Sequence, residues 1–192
     1  MNMIRTALLG AMIVIGSTAM AEAATPYVSG SIGIGMRGDS DVEVGSAKYS
    51  ASYDTGIAFA GAAGLESGNM RVEGEIGYQK NGIENNDDFD ISMMTYLANG
   101  YLDFNLPTAP ITPYITAGIG LADVKAEGFG LNDNSCTVLA GQVGVGAAYA
   151  ISPLIKLDMK YRYLMAGDAE FDNRAKVSID SHNVMFGLRA GF

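Results

Sequence analysis

Apolar and polar residues alternate along most of this chain, so that every second side chain is hydrophobic. In the last ten residues, NVMFGLRAGF, the alternate positions Val184, Phe186 and Leu188 are all hydrophobic. Successive side chains of a β-strand point to opposite faces, so this period of two predicts a strand with one apolar face. The same period predicts eight strands, at 27–37, 56–65, 70–79, 93–104, 114–122, 139–151, 154–164 and 183–192.

The connections between these predicted strands alternate in length. Long connections on one side and short turns on the other are typical of outer-membrane barrels. The sequence therefore predicts an all-β fold, an eight-stranded antiparallel up-and-down transmembrane β-barrel with both termini on the short-turn side. The predicted long connections are 38–53, 80–91, 125–135 and 165–177, and the short ones are 66–69, 105–112 and 152–153.

A soluble β-sandwich would also alternate, and the polar faces and the aromatic residues favour the barrel. The polar faces combine charges with many glycines, as expected for a confined interior. Aromatic residues fall at both ends of the apolar faces, as two girdles around an aliphatic band in lipid. The charged positions are Arg71, Glu73, Glu75, Asp103, Lys156, Asp158, Lys160, Arg162 and Arg189. The expected girdles are Phe104, Tyr149 and Phe192 at the short-turn end, and Tyr78, Tyr96, Tyr161 and Tyr163 at the long-loop end.

The first 23 residues have the features of a cleaved secretory signal peptide. Arg5 precedes an apolar run at 7–15, and small residues then allow cleavage after Ala21 or Ala23. The run is shorter than the ~20 residues that a spanning helix needs, which disfavours an uncleaved anchor. We expect export by the general secretory route and a barrel domain over 24–192.

Charge and cysteine content exclude several classes of function. The formal net charge of −9 and the absence of a basic patch argue against nucleic acid as a partner. Cys136 is the only cysteine, so no intramolecular disulfide can form. No cofactor or metal site is expected. Carboxylates cluster in the long connections, but their spacing fits no EF-hand loop.

Five segments resemble one family of membrane barrels. They are MTYLANGYLDF (94–104), TPYITAGIGLA (112–122), GQVGVGAAYAIS (141–152), LDMKYRYL (157–164) and GLRAGF (187–192). On these segments the chain resembles the eight-stranded outer-membrane barrels of the OmpA-like and opacity-type surface antigen family.

That resemblance implies a monomer in the outer membrane of a Gram-negative bacterium, in contact with the lipid bilayer and lipopolysaccharide. It also implies that the outer-membrane assembly machinery reads the last strand. The chain stops at Phe192 with no peptidoglycan-binding domain, so a wall-tethering role is not expected. The assembly signal would comprise Phe186, Leu188, Ala190 and Phe192.

Two enzyme-like patterns have simpler explanations. Gly33, Gly35 and Gly38 spell G-x-G-x-x-G, but no helical pattern follows to meet a pyrophosphate. Ser178, Asp180 and His182 share one face of the last strand and resemble a catalytic triad. Ser178 and His182 are about 13 Å apart along a strand, however, against the ~3 Å that a nucleophile and its base need. We expect no enzyme activity, and a lipid-modifying enzyme is the third alternative.

The interior charges decide between a closed barrel and a pore. The third and seventh predicted strands lie opposite each other in the barrel. We therefore expect Glu73 and Glu75 on the third strand to form ion pairs across the lumen with Lys160 and Arg162 on the seventh. The expected function is a plugged barrel with a structural or surface-recognition role, in which four long loops contact a host or cell-surface ligand. The main alternative is a small-solute porin, with a narrow path past the glycine-lined first, fifth and sixth strands.

Overall fold

A computed structural model of the chain describes residues 24–37, 40–44, 47–51, 56–83, 86–127, 135–171 and 175–192. The predicted signal peptide and Gly38 lie outside the described residues. The side chains of Ser178 and of the acidic connections lie outside them too. No helix in the described part of the chain is long and apolar enough to cross a membrane.

Eight of the ten strands in this part of the chain form one closed antiparallel barrel, which confirms the predicted fold. The strands are β1 Thr25–Arg37, β2 Ser40–Val44, β3 Ala47–Ala51, β4 Gly56–Ser67, β5 Met70–Ile83, β6 Asn86–Asp103, β7 Ile111–Glu127, β8 Ser135–Ala150, β9 Ile155–Phe171 and β10 Ala175–Gly191. The order around the barrel is β1-β10-β9-β8-β7-β6-β5-β4, and β1 pairs with β10 to close it. The other two strands, β2 and β3, pair only with each other.

The strands are strongly staggered. Followed across paired residues once around the barrel, the register that starts at Tyr27 returns to β1 at Arg37, ten residues further along. With eight strands, this stagger corresponds to a strand tilt of roughly 40° and an interior just wide enough for side chains to fill. The intermediate partners are Gly64, Glu73, Asn99, Gly118, Gln142, Leu164 and Ser181.

The apolar face of each barrel strand points outward. Ile32 and Leu139 are 54% and 63% exposed, whereas the inward Arg162 is 1% exposed. This arrangement is the reverse of a soluble protein, because the surroundings of the wall are lipid and the interior is the only place for polar side chains.

The short turns differ from the predicted ones by one or two residues at either end. The predicted connection 66–69 is reduced to a turn at 68–69, because β4 continues through Glu66 to Ser67. Gly68 has a φ of 62°, a left-handed conformation that glycine adopts without strain. The connections after β6 and β8 occupy 104–110 and 151–154.

The strands extend further than predicted at the opposite end of the barrel. Most of the predicted loop at 80–91 belongs to β5 and β6, and much of 165–177 belongs to β9 and β10. The predicted first loop, 38–53, contains the β2–β3 hairpin. At this end of the barrel the strands remain hydrogen-bonded although their sequences no longer alternate between apolar and polar residues. The period of two therefore does not predict where these strands end.

We expect Val145→Arg to destabilise the barrel by about 2–4 kcal/mol. An apolar band about 25 Å tall takes about 10 residues of a tilted strand, so counting from Tyr149 places Val145 near its middle. Val145 is 54% exposed on the outer face. Leu157→Arg, near the short-turn end of β9, is the matched control and should cost less. Reversible unfolding in urea with liposomes measures both, and equal costs would contradict the depth assignment.

Candidate functional site

The lumen begins at the short-turn end with a buried ion pair. Arg71, the second residue of β5, donates to Asp103, the last residue of β6, over 2.8–3.1 Å. The two side chains are 2% and 4% exposed. The guanidinium also lies 4.0 Å from the ring centre of Tyr101 and 4.8 Å from that of Tyr114. These aromatic faces stabilise the cation and fix its position.

A second cluster of charged side chains lies beside this pair and is partly exposed to solvent. Lys156 contacts Glu66 at 2.8 Å, and both side chains are about a quarter exposed. Arg189 reaches Glu66 at 3.5 Å and Asp158 at 3.0 Å. Asp158 also accepts a hydrogen bond from the hydroxyl of Tyr114. The group therefore links β4 and β9 with β7 and β10 at the short-turn end.

The middle of the lumen is crossed by contacts to Glu75. Lys160 and Arg162 on β9 contact its carboxylate at 3.1 and 2.5 Å. Glu75 is 3% exposed, and Arg162 is 1% exposed. These three residues come from opposite sides of the barrel, so their contacts brace the wall across the lumen. Buried ions of this kind are stable only while they remain paired.

Glu73 does not share those cations, contrary to the pairing expected for it. Its carboxylate accepts hydrogen bonds from the hydroxyls of Tyr27, at 2.9 Å, and Tyr101, and from the amide of Asn99, at 3.3 Å. The tyrosine hydroxyls on β1 and β6 lie within hydrogen-bond distance of the Glu73 carboxylate, whereas both cations contact Glu75. Glu73 is therefore solvated by neutral donors rather than by an opposite charge.

From the short turns to the middle of the lumen, the described inward side chains carry equal numbers of positive and negative charges. The sequence pattern identified nine of them and missed Glu66, which was assigned to a turn. Continuing the alternation one residue beyond Leu65 would have found it. With Glu66 included, the described side chains in the lumen comprise five carboxylates and five cations. They are Glu66, Glu73, Glu75, Asp103 and Asp158, and Arg71, Lys156, Lys160, Arg162 and Arg189.

Above Arg162, toward the long-connection end, the lumen carries no charge among the described side chains. Part of this uncharged layer is a buried apolar cluster on β6 to β9. The remainder is an amide group, in which Gln79 donates to Ser181 at 2.9 Å and accepts from Asn183 at 2.7 Å. This layer was not predicted from the sequence, because its apolar members stand at inward positions that are polar elsewhere in the lumen. The apolar members are Met93, Leu97, Ala122, Val124, Val138, Ala140, Leu164 and Ala166.

The inward glycines accommodate large neighbours rather than line a path. A Cβ at Gly118 would lie 1.9 Å from the Asn99 side chain, and one at Gly146 would lie 2.4 Å from the Tyr114 ring. The path expected past the first, fifth and sixth predicted strands is therefore occupied where these glycines lie. A cavity of about 30 Å³ lies against β1, the first of these strands, and against β4 and β10.

The outer face carries a polar cluster as well as the aromatic residues expected there. The Tyr161 hydroxyl lies 2.7 Å from Nδ1 of His182, and the Tyr163 hydroxyl donates to Asp180 at 3.1 Å. The Tyr163 and His182 rings lie 4.8 Å apart. Asp180 and His182 are therefore engaged by tyrosines. Tyr161 lies nearer the middle of β9 than a girdle position would, and its hydroxyl is satisfied within the protein.

The remaining girdle residues expected from the sequence lie on the outer strand faces or, for Phe104 and Phe192, directly after the last residue of a strand. Phe104 is 46% exposed, Tyr149 is 48% exposed and Phe192 is 71% exposed at the short-turn end. Tyr78 is 39% exposed near the other end, and Tyr96 donates its hydroxyl to the Met94 sulfur at 2.9 Å. The members of the expected assembly signal also face outward, with Phe186 and Leu188 more than half exposed.

Among the side chains that the structure describes, no three potential ligands are close enough to hold a metal ion. Cys136 is a free thiol that packs against the apolar cluster of the uncharged layer. The lumen therefore offers ion pairing, hydrogen bonding and steric closure as its chemistry.

Comparison with known proteins gives the family. The model of the outer membrane protein beta-barrel domain family matches residues 6–189. The chain belongs to this family. It is an integral protein of the outer membrane of Gram-negative bacteria, as the sequence predicted.

Two relatives and one solved structure illustrate the membership. Outer membrane protein PagN of Salmonella typhimurium is 44% identical over 86 residues, which are 40% of this chain and 36% of PagN. The 25 kDa outer-membrane immunogenic protein of Brucella abortus is 29% identical over 125 residues, 61% of this chain and 55% of that protein. Neisserial surface protein A has the same fold, with a TM-score of 0.67 at 22% identity, over 89% of this chain and all of the other.

We predict that Glu75→Ala destabilises this family member by about 3–5 kcal/mol, because Lys160 and Arg162 would remain buried without their carboxylate. Glu66→Ala is the matched control, since Glu66 also contacts two cations but is about a quarter exposed. Water can solvate the cations there, so its loss should cost less than about 1 kcal/mol. Urea unfolding followed by gel mobility of the heated and unheated barrel measures both. Equal, small losses would show that the lumen is hydrated at Glu75.

Proposed function

We propose that this protein is a plugged outer-membrane barrel that acts at the cell surface, in a structural or recognition role. The observation that carries the proposal is the filled lumen, in which the Glu75 contacts lie beneath an uncharged layer. A barrel closed in this way offers no route for solutes, so its activity must reside on its outer surfaces. The strand extensions, the β2–β3 hairpin and the connections at the long-connection end are the parts that reach beyond the bilayer.

The names of the relatives agree with a surface role. One relative is named an outer-membrane immunogenic protein, and the solved barrel is named a surface protein. The matched part is about a third of PagN and about half of the immunogenic protein, so these names support the proposal only in general terms. The partner that we propose is a host or cell-surface ligand, bound beside the lipopolysaccharide of the outer leaflet.

A monomer without enzyme activity is part of the same proposal. The closed barrel leaves no unpaired strand edge to recruit a second copy. Asp180 and His182 are held by tyrosines on the outer wall, which disfavours the lipid-modifying enzyme. We also propose residues 1–23 as the signal peptide and residues 24–192 as the mature barrel.

The test of function combines conductance with binding. Unmodified protein in planar bilayers should be nearly silent, because charged solutes cannot cross the uncharged layer. Replacing 40–51 with a short glycine–serine linker should reduce binding to the recognised cell surface without loss of folded barrel. The control is the same linker in the short turn region at 105–109. A steady current in the unmodified protein would favour the small-solute porin instead.

We further propose that the outward strip Phe186, Leu188, Ala190 and Phe192 is read by the assembly machinery. Phe192→Asp should then lower the fraction of folded barrel in the outer membrane and leave unfolded protein in the periplasm. Refolding of the purified variant into liposomes should be nearly normal, which separates recognition from stability. Normal membrane levels of the variant would argue against the signal.

A further inference from the structure

The cavity in the lumen lies where the wall is made of small side chains. On β1 and β4 the inward residues at this level are Ser29, Ser31, Ala60 and Ala62, and all four line the cavity. The opposite lining comes from the charged part of the lumen and includes Glu73, Glu75 and Lys160. The cavity therefore has one smooth wall of hydroxyls and methyls and one wall of ions.

Its size and its polar lining fit water. A volume of about 30 Å³ accommodates one or two water molecules, which need two to four polar partners each. Arg189 lines the cavity and is 3% exposed, yet its Nε has no hydrogen-bond partner in the protein. Ser29 and Ser31 offer hydroxyls on the other side. A buried donor without a partner is costly, and a water molecule would satisfy it.

The cavity adjoins solvent at the short-turn end. Asp158 lines the cavity and has a side chain that is 19% exposed. Its neighbours Lys156 and Glu66 are 26% and 27% exposed, whereas Glu75 and Arg162 further in are both 2% exposed by side chain. On the side of the lumen formed by β4 and β9, exposure thus falls from the short turns toward the middle, whereas Arg71 and Asp103 at the same end are buried.

The uncharged layer lies beyond the other end of the cavity, and its members do not line the cavity. Leu97 and Leu164 are 2% and 1% exposed, and Ser181 and Asn183 are fully buried. Gln142 and Asn99 separate this layer from the carboxylates, joined by a hydrogen bond of 2.5 Å. An ion entering this layer would lose its hydration without gaining an opposite charge.

We infer that the lumen is a one-sided water chamber, open toward the short turns and sealed by the uncharged layer. The seal is thus Leu97, Leu164 and their neighbours, and not the ion pairs of Glu75. This inference rests on the proposed closed barrel and adds where the closure lies. It assigns the ion pairs to bracing the wall and the uncharged layer to impermeability.

The test uses a cysteine on the smooth wall. Ser31→Cys in a Cys136→Ser background is placed in liposomes, with orientation assigned by a protease site inserted between Val44 and Ala47. Silver ion, which is small enough for a cavity of about 30 Å³, should react with the cysteine of Ser31→Cys at least about tenfold faster from the short-turn side than from the other side. In the unmodified protein, measured separately, native Cys136 lies beyond the seal and should show the opposite preference. Ala62→Cys repeats the measurement at a second cavity residue.

The seal is then opened by Leu97→Ser with Leu164→Ser. Position 31 should become reactive from both sides, with the rates within about twofold of each other. The matched control is Leu139→Ser with Leu157→Ser on the lipid face, which should keep the one-sided labelling. Only variants that retain the gel mobility shift of a folded barrel are compared.

Each outcome decides a separate point. Labelling of both cavity cysteines from neither side would overturn the open chamber. Equal labelling from both sides with the layer intact, in a protein that carries no current, would overturn the seal but not the closed barrel. One-sided labelling that persists in the double serine variant would also overturn the seal. A steady current in unmodified protein would overturn the closed-barrel proposal itself.

Discussion

Inside a bilayer, each backbone N–H and C=O must find its partner within the protein, because lipid offers none. Pairing of β1 with β10, from Tyr27 opposite Gly191 to Arg37 opposite Ser181, meets this requirement by removing both sheet edges. Closure with eight strands and a ten-residue stagger then sets the width of the lumen. That width explains why large inward side chains such as Arg162 and Tyr114 need glycines opposite them, and why the polar residues end up inside.

Much of this arrangement could be predicted from the sequence, because lipid on one face and a narrow lumen on the other impose a period of two. The eight strands and their order follow from that period and from the alternating connections. The strand ends could not be predicted, since β5, β6, β9 and β10 continue beyond the bilayer without an apolar face. Glu66 was missed for a related reason, as the turn at Gly68 is shorter than its polar composition suggests.

The sequence predicts which charged residues share the lumen, but not which side chains contact each other there. The alternation shows that Glu73, Glu75, Lys160 and Arg162 share the lumen, but the partner of each depends on side-chain length and on register. Glu73 meets tyrosine hydroxyls from β1 and β6, which are not adjacent strands, so these side chains come together only inside the closed barrel. The uncharged layer was overlooked because Leu97 and Leu164 are hydrophobic residues at inward positions. Such residues look like exceptions in the sequence and become a continuous cluster only when β6 to β9 are side by side.

The balance of charge in the lumen has a consequence for the electric field around the protein. Among the described side chains, five basic and five acidic residues lie inside and cancel, so the formal charge of −9 comes from the rest of the chain. At physiological ionic strength, fields between exposed charges fade over about 8 Å. The potential that an approaching molecule meets is therefore set by the hairpin and the connections. Those segments can exchange charge during evolution without disturbing the electrostatics that hold the wall together.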